Sequence, residues 1–517
     1  MEDGSEDMTT TLSALWMAQD ATAPAIGAPG RDWLDYGGLR DVAASTAAAL
    51  HAAGIGRGDR VAIVLPNGPE MAAAFVCVAG VATTCPLNPA YKVDEFAFYL
   101  EDLKAKAIIL AEGDTGPTFD AATAQGLSVL RLETTAGAPA GHFTLRAETS
   151  AGTADTSAPG ADDVALILHT SGTTSRPKIV PLLQSNIAAS ARHIGASLDL
   201  LAGDRCLNVM PLFHIHGLIA AVSATLASGG SVWCAPGFDA LKFFGWMREA
   251  RPTWYTAVPT MHQTILSRAS RNTDTIAEVP LRFLRSSSAS LPGPVMEALA
   301  ETFNAPVIEG YGMTEAAHQM ASNPLPPRAQ KPGAVGVEAG PLVRIAHEVE
   351  NHLIEGVGEI VISGPNVTPG YEGNPEANAK NFFEADGKRW FRTGDQGQFD
   401  DEGYLTLTGR LKEIINRGGE KVSPLEVDGV LSAHPAVAQV VTFALPHPKL
   451  GEEVAAAAVL KEGAEATEGD IRAFASERLA AFKVPRKVVI LDEIPKGATG
   501  KLQRIGLAEK LGLTEGA

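Results

Sequence analysis

The chain has 517 residues, more than one hydrophobic core usually supports, so two or more domains are expected. Its 42 Lys and Arg residues are outnumbered by 60 Asp and Glu residues, and the net charge of −18 argues against a protein that lives on nucleic acid or anionic lipid. A hydrophobic content of 45% with 20% charged residues excludes a disordered chain.

The cysteines and the termini bear on the cellular compartment. No CxxC pair occurs among the four cysteines, so neither a zinc cage nor a disulfide framework is expected, and a reducing compartment fits. The acidic first residues are the reverse of a secretory leader, and the longest apolar run, residues 217–227, is too short to span a membrane. The C-terminus carries no peroxisomal signal, and we therefore expect a soluble cytoplasmic protein.

Short Val, Ile and Leu runs alternate with Ala-rich stretches along most of the chain. Residues 59–65 are predicted to form a buried strand, and a helix is predicted from Pro69 to Val78 because proline suits the first helical position. Further strands are predicted at residues 107–110, 165–168, 231–234, 254–258 and 281–285. This alternation over about 350 residues predicts an α/β fold of parallel sheets covered by helices.

The pattern changes near Gly356. Short strands separated by glycine turns, at residues 358–362 and 403–407, predict a small antiparallel sheet or barrel that closes the first domain. A compact α+β unit is predicted after Arg410. Within it, Ser423 followed by Pro424 marks a helix start, because serine caps a helix and proline fits its first turn.

Residues 170–178, Thr-Ser-Gly-Thr-Thr-Ser-Arg-Pro-Lys, directly follow a predicted strand. Small hydroxylated residues and one glycine leave backbone N–H groups open to an anion, and Lys178 adds a positive charge, so the loop is suited to a polyphosphate. A Walker A loop is disfavoured, because Pro177 stands where its second glycine belongs and Ile179 replaces Ser or Thr. A plain surface turn is the alternative.

Four further motifs follow in order. They are Glu-Gly-Tyr-Gly-Met-Thr-Glu at 309–315, Phe-Arg-Thr-Gly-Asp at 391–395, Gly-Arg-Leu-Lys-Glu at 409–413 and Pro-Lys-Gly-Ala-Thr-Gly-Lys at 495–501. Together with the 170–178 loop they resemble the adenylate-forming superfamily of acyl-CoA synthetases, peptide-synthetase adenylation domains and beetle luciferases. The resemblance covers residues 32–502 and departs from the family pattern at Ser175, where relatives usually carry glycine.

The resemblance implies a division of the chain into two domains. A large adenylation domain would span residues 1–409, residues 410–412 would form a hinge about Lys412, and residues 413–517 would form a small mobile domain. The small domain would carry Lys501, which bridges the acyl carboxylate and the α-phosphate. After rotation, a glycine-rich turn would line the CoA tunnel through Gly418, Gly419, Glu420 and Lys421.

The implied chemistry is adenylation with ATP and Mg²⁺. A carboxylate that attacks the α-phosphate meets like-charge repulsion, so the site must neutralise the phosphates and exclude water. Glu315 would hold Mg²⁺, and Asp395 would accept hydrogen bonds from the ribose hydroxyls. The implied catalytic residues are Lys501, Thr314, Glu315 and His214. The implied ATP and AMP contacts are Thr170, Ser171, Gly172, Thr173, Thr174, Lys178, Ala289, Glu309, Gly310, Tyr311, Gly312, Thr314, Asp395 and Arg410.

The acid pocket is expected to be polar. His214, preferred over His216, would face the acid together with Ser287, Ser288 and His318. A fatty chain would leave these groups unpaired at about 1–3 kcal/mol each, whereas a small dicarboxylate would pair with them. Residues 281–324 resemble oxalate–CoA ligases, so oxalate is the leading substrate. Malonate or another short acid is the near alternative, and a bulkier aryl acid fits less well.

Two other classes of protein remain open at the level of sequence. A stand-alone adenylation enzyme would load a carrier protein instead of CoA, and pyrophosphate exchange without a CoA thioester would favour it. A non-catalytic nucleotide sensor would need neither Lys501 nor Glu315, so their presence argues against it. The expected partners are a small carboxylic acid, ATP and CoA, with the chain acting as a monomer or homodimer.

Overall fold

The computed structural model describes residues 11–148, 152–170, 177–495 and 503–513. The helices are α1 (Leu12–Met17), α2 (Tyr36–Ala52), α3 (Pro69–Val78), α4 (Val93–Leu103), α5 (Pro117–Ala124), α6 (Gln184–Ser197), α7 (Ala224–Ala227), α8 (Phe243–Ala250), α9 (Pro259–Ala269), α10 (Thr273–Glu278), α11 (Gly293–Phe303), α12 (Pro375–Asn381), α13 (Pro424–Ser432), α14 (Glu468–Ser476) and α15 (Leu507–Lys510).

The strands are β1 (Pro24–Ala28), β2 (Arg31–Asp35), β3 (Arg60–Val64), β4 (Thr83–Pro86), β5 (Ala107–Ala111), β6 (Ser128–Glu133), β7 (Thr144–Ala147), β8 (Val164–Thr170), β9 (Lys178–Leu183), β10 (Arg205–Asn208), β11 (Ser231–Cys234), β12 (Trp254–Ala257), β13 (Phe283–Ser287), β14 (Val307–Met313), β15 (His318–Ser322), β16 (Val337–Glu338), β17 (Leu342–Ala346), β18 (Leu353–Ile354), β19 (Gly358–Ser363), β20 (Phe382–Ala385), β21 (Lys388–Phe399), β22 (Leu405–Arg410), β23 (Ile415–Arg417), β24 (Glu420–Val422), β25 (Val437–His447), β26 (Gly451–Leu460) and β27 (Lys487–Ile490).

Two large sheets form the first part of the chain, and their inner strands are parallel. One has seven strands in the order β7-β6-β5-β3-β4-β8-β9, and the other has nine in the order β16-β15-β14-β13-β12-β10-β11-β1-β2. Antiparallel pairs occur toward the edges, such as β8 with β9 and β14 with β15. The predicted α/β class with helix-covered parallel sheets is confirmed.

The main hydrophobic core lies between these sheets. It contains Val61 and Ile63 from the seven-stranded sheet and Trp254 and Phe283 from the nine-stranded sheet. Helix α3 is buried along its whole length and begins at the predicted Pro69, because that proline occupies the first turn, where no intrahelical N–H bond is lost. A helix buried on every side can be apolar all round, which explains its composition.

A six-stranded antiparallel sheet follows, in the order β18-β17-β19-β21-β20 with β22 paired to β21. This is the small antiparallel sheet predicted from the short strands and glycine turns after Gly356. Its β21–β22 ladder places Asp395 opposite Arg410, so two of the predicted site residues are neighbours across strands. Cross-strand partners on one face of a sheet interact directly, and Asp395 and Arg410 form an ion pair.

The last sheet is built from residues 415–490, in the order β24-β23-β26-β25 with β27 paired to β26. Helix α13 packs on it and starts as predicted at Pro424, with the Ser423 side chain accepting from the Glu426 N–H. The domain boundaries at 409 and 413 stay a prediction. Within the described ranges, no helix is both long enough and apolar enough to cross a bilayer.

Candidate active site

Several of the predicted site residues lie on or directly after β13 and β14, two neighbouring parallel strands. In open parallel sheets the carboxyl edge is where ligands bind, because the chain leaves each strand there in a loop. Strand β13 ends at Ser287, and β14 leads into a single helical turn over Thr314–Ala316. Ala289 follows β13 and is exposed at the same edge.

The predicted phosphate loop joins two antiparallel strands. Thr170 at the end of β8 pairs with Lys178 at the start of β9, so the described chain brings the two ends of the loop together. The residues between them that were predicted to contact phosphate, Ser171, Gly172, Thr173 and Thr174, lie outside the described residues. The same holds for Ser175 and for Lys501. Their roles stay predictions.

Lys178 and Glu315 are brought together by a tyrosine that sequence reasoning did not find. The Lys178 ammonium lies 4.2 Å from the centroid of the Tyr371 ring. The Tyr371 hydroxyl donates to Oε1 of Glu315 at 2.7 Å. Tyr371 follows no recognisable motif, so no pattern in the sequence marks it. The three side chains form a charged cluster that we call the 178–315–371 cluster.

Burial sets the ionisation of this cluster. Glu315 is 6% exposed, and desolvation raises its pKa, while the Tyr371 hydrogen bond and the charge of Lys178 act in the opposite direction. Desolvation also lowers the pKa of Lys178, against the influence of Glu315. The ionisation of Glu315 therefore depends on the charges around it. A bound cation would favour its carboxylate form, which suits a site that binds a metal ion.

Glu315 fits the predicted magnesium role. Within the described ranges no group of three or more His, Cys, Asp and Glu side chains is placed to hold a metal, so an ion here would take most of its ligands from phosphate oxygens and water. Magnesium is commonly held by one or two carboxylates together with substrate phosphates. A buried carboxylate beside Lys178, the last residue of the predicted phosphate loop, matches that ligand set.

Asp395 is held at both oxygens. Its Oδ1 accepts from Arg410 Nε at 2.8 Å, and its Oδ2 accepts from the Tyr311 hydroxyl at 2.5 Å. The charge of Asp395 raises the pKa of Arg410, and burial raises that of Tyr311. A carboxylate has about four lone-pair positions, so Asp395 keeps acceptor capacity for a diol. Tyr311 thus positions the carboxylate, in addition to the flat face predicted for it.

The two glycines of the Glu-Gly-Tyr-Gly motif are required by close packing. A Cβ on Gly310 would lie 2.7 Å from Nη2 of Arg285, and one on Gly312 would lie 1.9 Å from the backbone oxygen of His318. Glu309, which precedes them, is 2% exposed and accepts from the Leu291 N–H at 2.8 Å. Burial raises the pKa of Glu309 to about 8.

Two imidazoles and two hydroxyls meet beside this motif. His216 contacts the Ser288 hydroxyl through Nδ1 at 3.0 Å and the Thr256 hydroxyl through Nε2 at 2.7 Å. Its ring lies 5.1 Å from that of His318, and both histidines are 2% exposed. We call these four residues the imidazole cluster. Ser287, the remaining predicted serine, is buried beside it and donates to the backbone oxygen of Gly310 at 2.6 Å.

The backbone of the imidazole cluster is constrained. Ser288 and His318 adopt φ of 75° and 101°, and Ala317 adopts 46°, although none of them is glycine. Such conformations cost free energy and persist where the surrounding structure enforces them, often at functional sites. His216 also begins a π-helical segment, His216–Ser223, a rare form that is frequent at such sites.

Sequence reasoning preferred His214 to His216 for this pocket. In the structure His214 packs against Phe213, with ring centroids 4.6 Å apart, whereas His216 joins Ser288, Thr256 and His318. The predicted His318 and Ser288 are therefore together, and His216 and Thr256 are additions. The sequence His-Ile-His at 214–216 indicated that a histidine could belong to the pocket, but it did not show which of the two would contact Ser288, Thr256 and His318.

The predicted hinge and CoA-tunnel residues lie at the start of the last sheet. Lys412 is exposed, and its neighbour Glu413 forms an ion pair of 3.3 Å with Arg504. Gly418 and Gly419 form the turn between β23 and β24 with φ of 61° and 100°, values that favour glycine. Both glycines are exposed, as are Glu420 and Lys421, so the turn is accessible to a ligand.

The arrangement suits the activation of an acid by a nucleotide. One side offers the 178–315–371 cluster for phosphates and the Asp395 carboxylate for a ribose. The other side offers the imidazole cluster, a set of mostly buried polar groups suited to a small polar acid. Both sides meet at the end of β14, which carries Tyr311 and leads into Glu315.

The chain matches known families and proteins over most of its length. Residues 14–372 match the family model of AMP-binding enzymes, and residues 426–501 match that of the AMP-binding enzyme C-terminal domain. An oxalate–CoA ligase of Arabidopsis thaliana is 45% identical over 93% of this chain and 94% of its own length. One of Saccharomyces cerevisiae is 43% identical over 88% of this chain and 87% of its own. The structure of ATP-bound MatB from Rhodopseudomonas palustris superposes with a TM-score of 0.85 at 29% identity, covering 98% of both chains.

Proposed function

Because the chain belongs to the AMP-binding enzyme family and is an AMP-forming acid–CoA ligase, we propose that the acid it activates is oxalate. The observation that supports this proposal is the imidazole cluster, a set of polar side chains of which three are buried and Ser288 is half-buried. An alkyl or unsubstituted aryl acid would place apolar surface against these polar groups, whereas a second carboxylate can accept hydrogen bonds in their place. The two oxalate–CoA ligases that resemble the chain at 45% and 43% identity support the same acid.

In the first half-reaction, one oxygen of the acid attacks the α-phosphorus of ATP. A new P–O bond forms, the bond from the α-phosphorus to the bridging oxygen breaks, and pyrophosphate leaves with the electron pair. We assign Thr170 and Lys178 to the phosphates together with the loop between them, and Asp395 with Arg410 to the ribose. Lys501 would bridge the acid carboxylate and the α-phosphate, a contact that counts most in the transition state.

Glu315 is the residue that would hold Mg²⁺, which when bound supplies positive charge against the phosphate oxygens. Tyr371 orients the Glu315 carboxylate through its hydroxyl. Lys178 lies over the ring of the same tyrosine, so one side chain positions both charged groups. Thr314, which directly precedes Glu315, is assigned to a phosphate oxygen.

In the second half-reaction, the sulfur of CoA attacks the acyl carbonyl carbon. A C–S bond forms, the C–O bond to AMP breaks, and the thiol proton passes to solvent. We propose that residues 410–412 act as the hinge that brings the turn at Gly418–Lys421 to the site for this step, because the two steps need different groups at one carbonyl. His214 is kept as a candidate contact to the acyl group.

We propose a cytoplasmic location for the enzyme. The four cysteines are all buried as free thiols, and burial raises the pKa of Cys77, Cys85, Cys206 and Cys234. Thiols of this kind stay protonated and unreactive, which fits a reducing compartment.

The test is a panel of acids offered with ATP, Mg²⁺ and CoA, with AMP release and thioester formation measured together. Oxalate is expected to give the highest kcat/KM, ahead of malonate, hexanoate and 4-coumarate. A higher kcat/KM for hexanoate or 4-coumarate would show that the imidazole cluster does not face the acid. Pyrophosphate exchange without any CoA thioester would point to an enzyme that loads a carrier protein.

A further inference from the structure

Arg285 is a fully buried arginine that the reaction described above does not use. It is 0% exposed and lies in β13, two residues before Ser287. Its Nη2 donates to Oε1 of Gln319 at 3.1 Å. Its Nε and Nη1 are also buried, and within the part of the chain that the structure describes neither has a hydrogen-bond partner.

Among the described residues this guanidinium has no counter-ion. No Asp or Glu of the described ranges forms an ion pair with Arg285, and its one hydrogen bond goes to a neutral amide. Desolvation lowers its pKa to about 10, so the group stays protonated at neutral pH. A buried charge is normally paired and fully hydrogen-bonded, because leaving it alone is costly. The described residues therefore supply no anion to pair with Arg285, and a bound ligand could supply one.

Arg285 lies next to Thr256, a member of the imidazole cluster. It pairs in register with Thr256 on the neighbouring parallel strand, so both side chains project from the same face of the sheet. Thr256 is the residue whose hydroxyl contacts His216. The guanidinium extends from β13 across β14, where the absence of a Cβ at Gly310 leaves room for it, to Gln319, the residue after His318.

We propose that Arg285 is the specificity-determining residue for the second carboxylate of the acid, with its Nε and Nη1 groups donating to that carboxylate. The inference rests on the proposed function, since it needs an acid with two anionic ends. A carboxylate accepts two parallel hydrogen bonds from the planar guanidinium fork. One carboxylate would then be anchored on Arg285 while the other faces the α-phosphate. An acid without the second anion leaves the guanidinium unpaired and is rejected, as a site built for a polar group rejects the analogue that lacks it.

The test is the Arg285→Met variant, whose unbranched side chain fills the space of the arginine stem and carries no charge. The kcat/KM for oxalate is expected to fall about 100-fold or more, because the variant loses charge-assisted hydrogen bonds in a buried site. The kcat/KM for glycolate, an acid of the same carbon count with one carboxylate, is expected to change less than about threefold, and the KM for ATP to stay constant. The ratio of the two acids is the decisive quantity, since a general loss of structure would lower both.

Arg131→Met is the matched control. Arg131 is also buried, at 4% exposure, but it lies in the other large sheet and is paired with Glu148 at 2.9 Å. Its replacement is expected to lower the melting temperature without changing the ratio of oxalate to glycolate. A control that lost oxalate selectivity as strongly as Arg285→Met would overturn the assignment.

Gln319→Glu keeps the test decisive if the methionine variant does not fold. It places a carboxylate against Arg285 Nη2 and so gives the guanidinium a counter-ion from the protein itself. Oxalate is again expected to lose far more kcat/KM than glycolate. Equal losses for both acids in a folded variant would overturn the role of Arg285 while leaving the proposed function intact. A wild-type enzyme that prefers hexanoate or 4-coumarate would instead overturn the proposed function.

Discussion

Replacing Tyr371 by phenylalanine isolates one hydrogen bond of the active site. The change removes the hydroxyl that donates to Glu315 Oε1 at 2.7 Å and keeps the ring beneath Lys178. Glu315 is 6% exposed, so water cannot replace the lost donor easily. A hydrogen bond to a charged group contributes about 1.5–3 kcal/mol, which corresponds to about 10- to 150-fold in kcat/KM for ATP.

The pH dependence of kcat/KM is a second, independent readout of the Tyr371→Phe substitution, and its direction can be predicted. The functional form of Glu315 is the carboxylate, and the Tyr371 hydroxyl lowers the pKa of Glu315 against the burial that raises it. Without the hydroxyl the pKa rises further, a larger fraction of Glu315 is protonated at a given pH, and the acidic limb of kcat/KM moves to higher pH. Raised Mg²⁺ concentration is expected to recover part of the activity, because cation binding competes with protonation.

The assay is ATP–pyrophosphate exchange between pH 5 and 9 at several Mg²⁺ concentrations. Tyr404→Phe serves as the control, since it removes a buried hydroxyl that donates to the Ala329 backbone oxygen at 2.8 Å. The control is expected to keep the wild-type pH profile. A Tyr371→Phe enzyme with unchanged kcat/KM and an unmoved acidic limb would refute the assigned link between Tyr371 and the ionisation of Glu315.

Three further substitutions test other parts of the site. Lys501→Ala is expected to abolish adenylate formation and to spare the reaction of preformed adenylate with CoA, and equal loss in both half-reactions measured separately would contradict its role. His318→Ala is expected to raise the KM for a dicarboxylate far more than the KM for ATP in steady-state assays, and a matching rise in both would argue against an acid contact. Asp395→Asn is expected to raise the KM for ATP about tenfold with little change for the acid. Since the Arg410 side chain is 48% exposed, the ion pair itself is expected to add little to the melting temperature.

Features set by neighbouring residues were predictable from the sequence. Helix α3 begins at Pro69 and ends at Val78 as predicted, because an N-terminal proline and an apolar run are local signals. Strands β5, β8, β11, β12 and β13 lie at predicted runs of apolar residues, and their alternation with helices implied parallel sheets. The motifs that carry the family resemblance are also contiguous, so the class of reaction could be inferred from them.

The tertiary structure decided which side chains meet. His216 contacts Thr256, 40 residues away, and Ser288, 72 residues away, because the order of strands brings β12 and β13 beside each other. Tyr371 reaches Glu315 from 56 residues away. The spacing of His214 and His216 alone does not tell which of the two contacts Thr256 and Ser288.

Arg285 shows the same limit most clearly. In the sequence it is one polar residue before three serines. Only the paired strands show that it is buried beside Thr256 and next to Gln319, with no counter-ion from the residues that the structure describes. Local patterns depend on the conformational preferences of a few adjacent residues, whereas burial and charge pairing depend on contacts between distant strands. The chain therefore encodes its reaction class in short motifs, whereas the residues that we propose for selecting its acid come together only through the packing of its sheets.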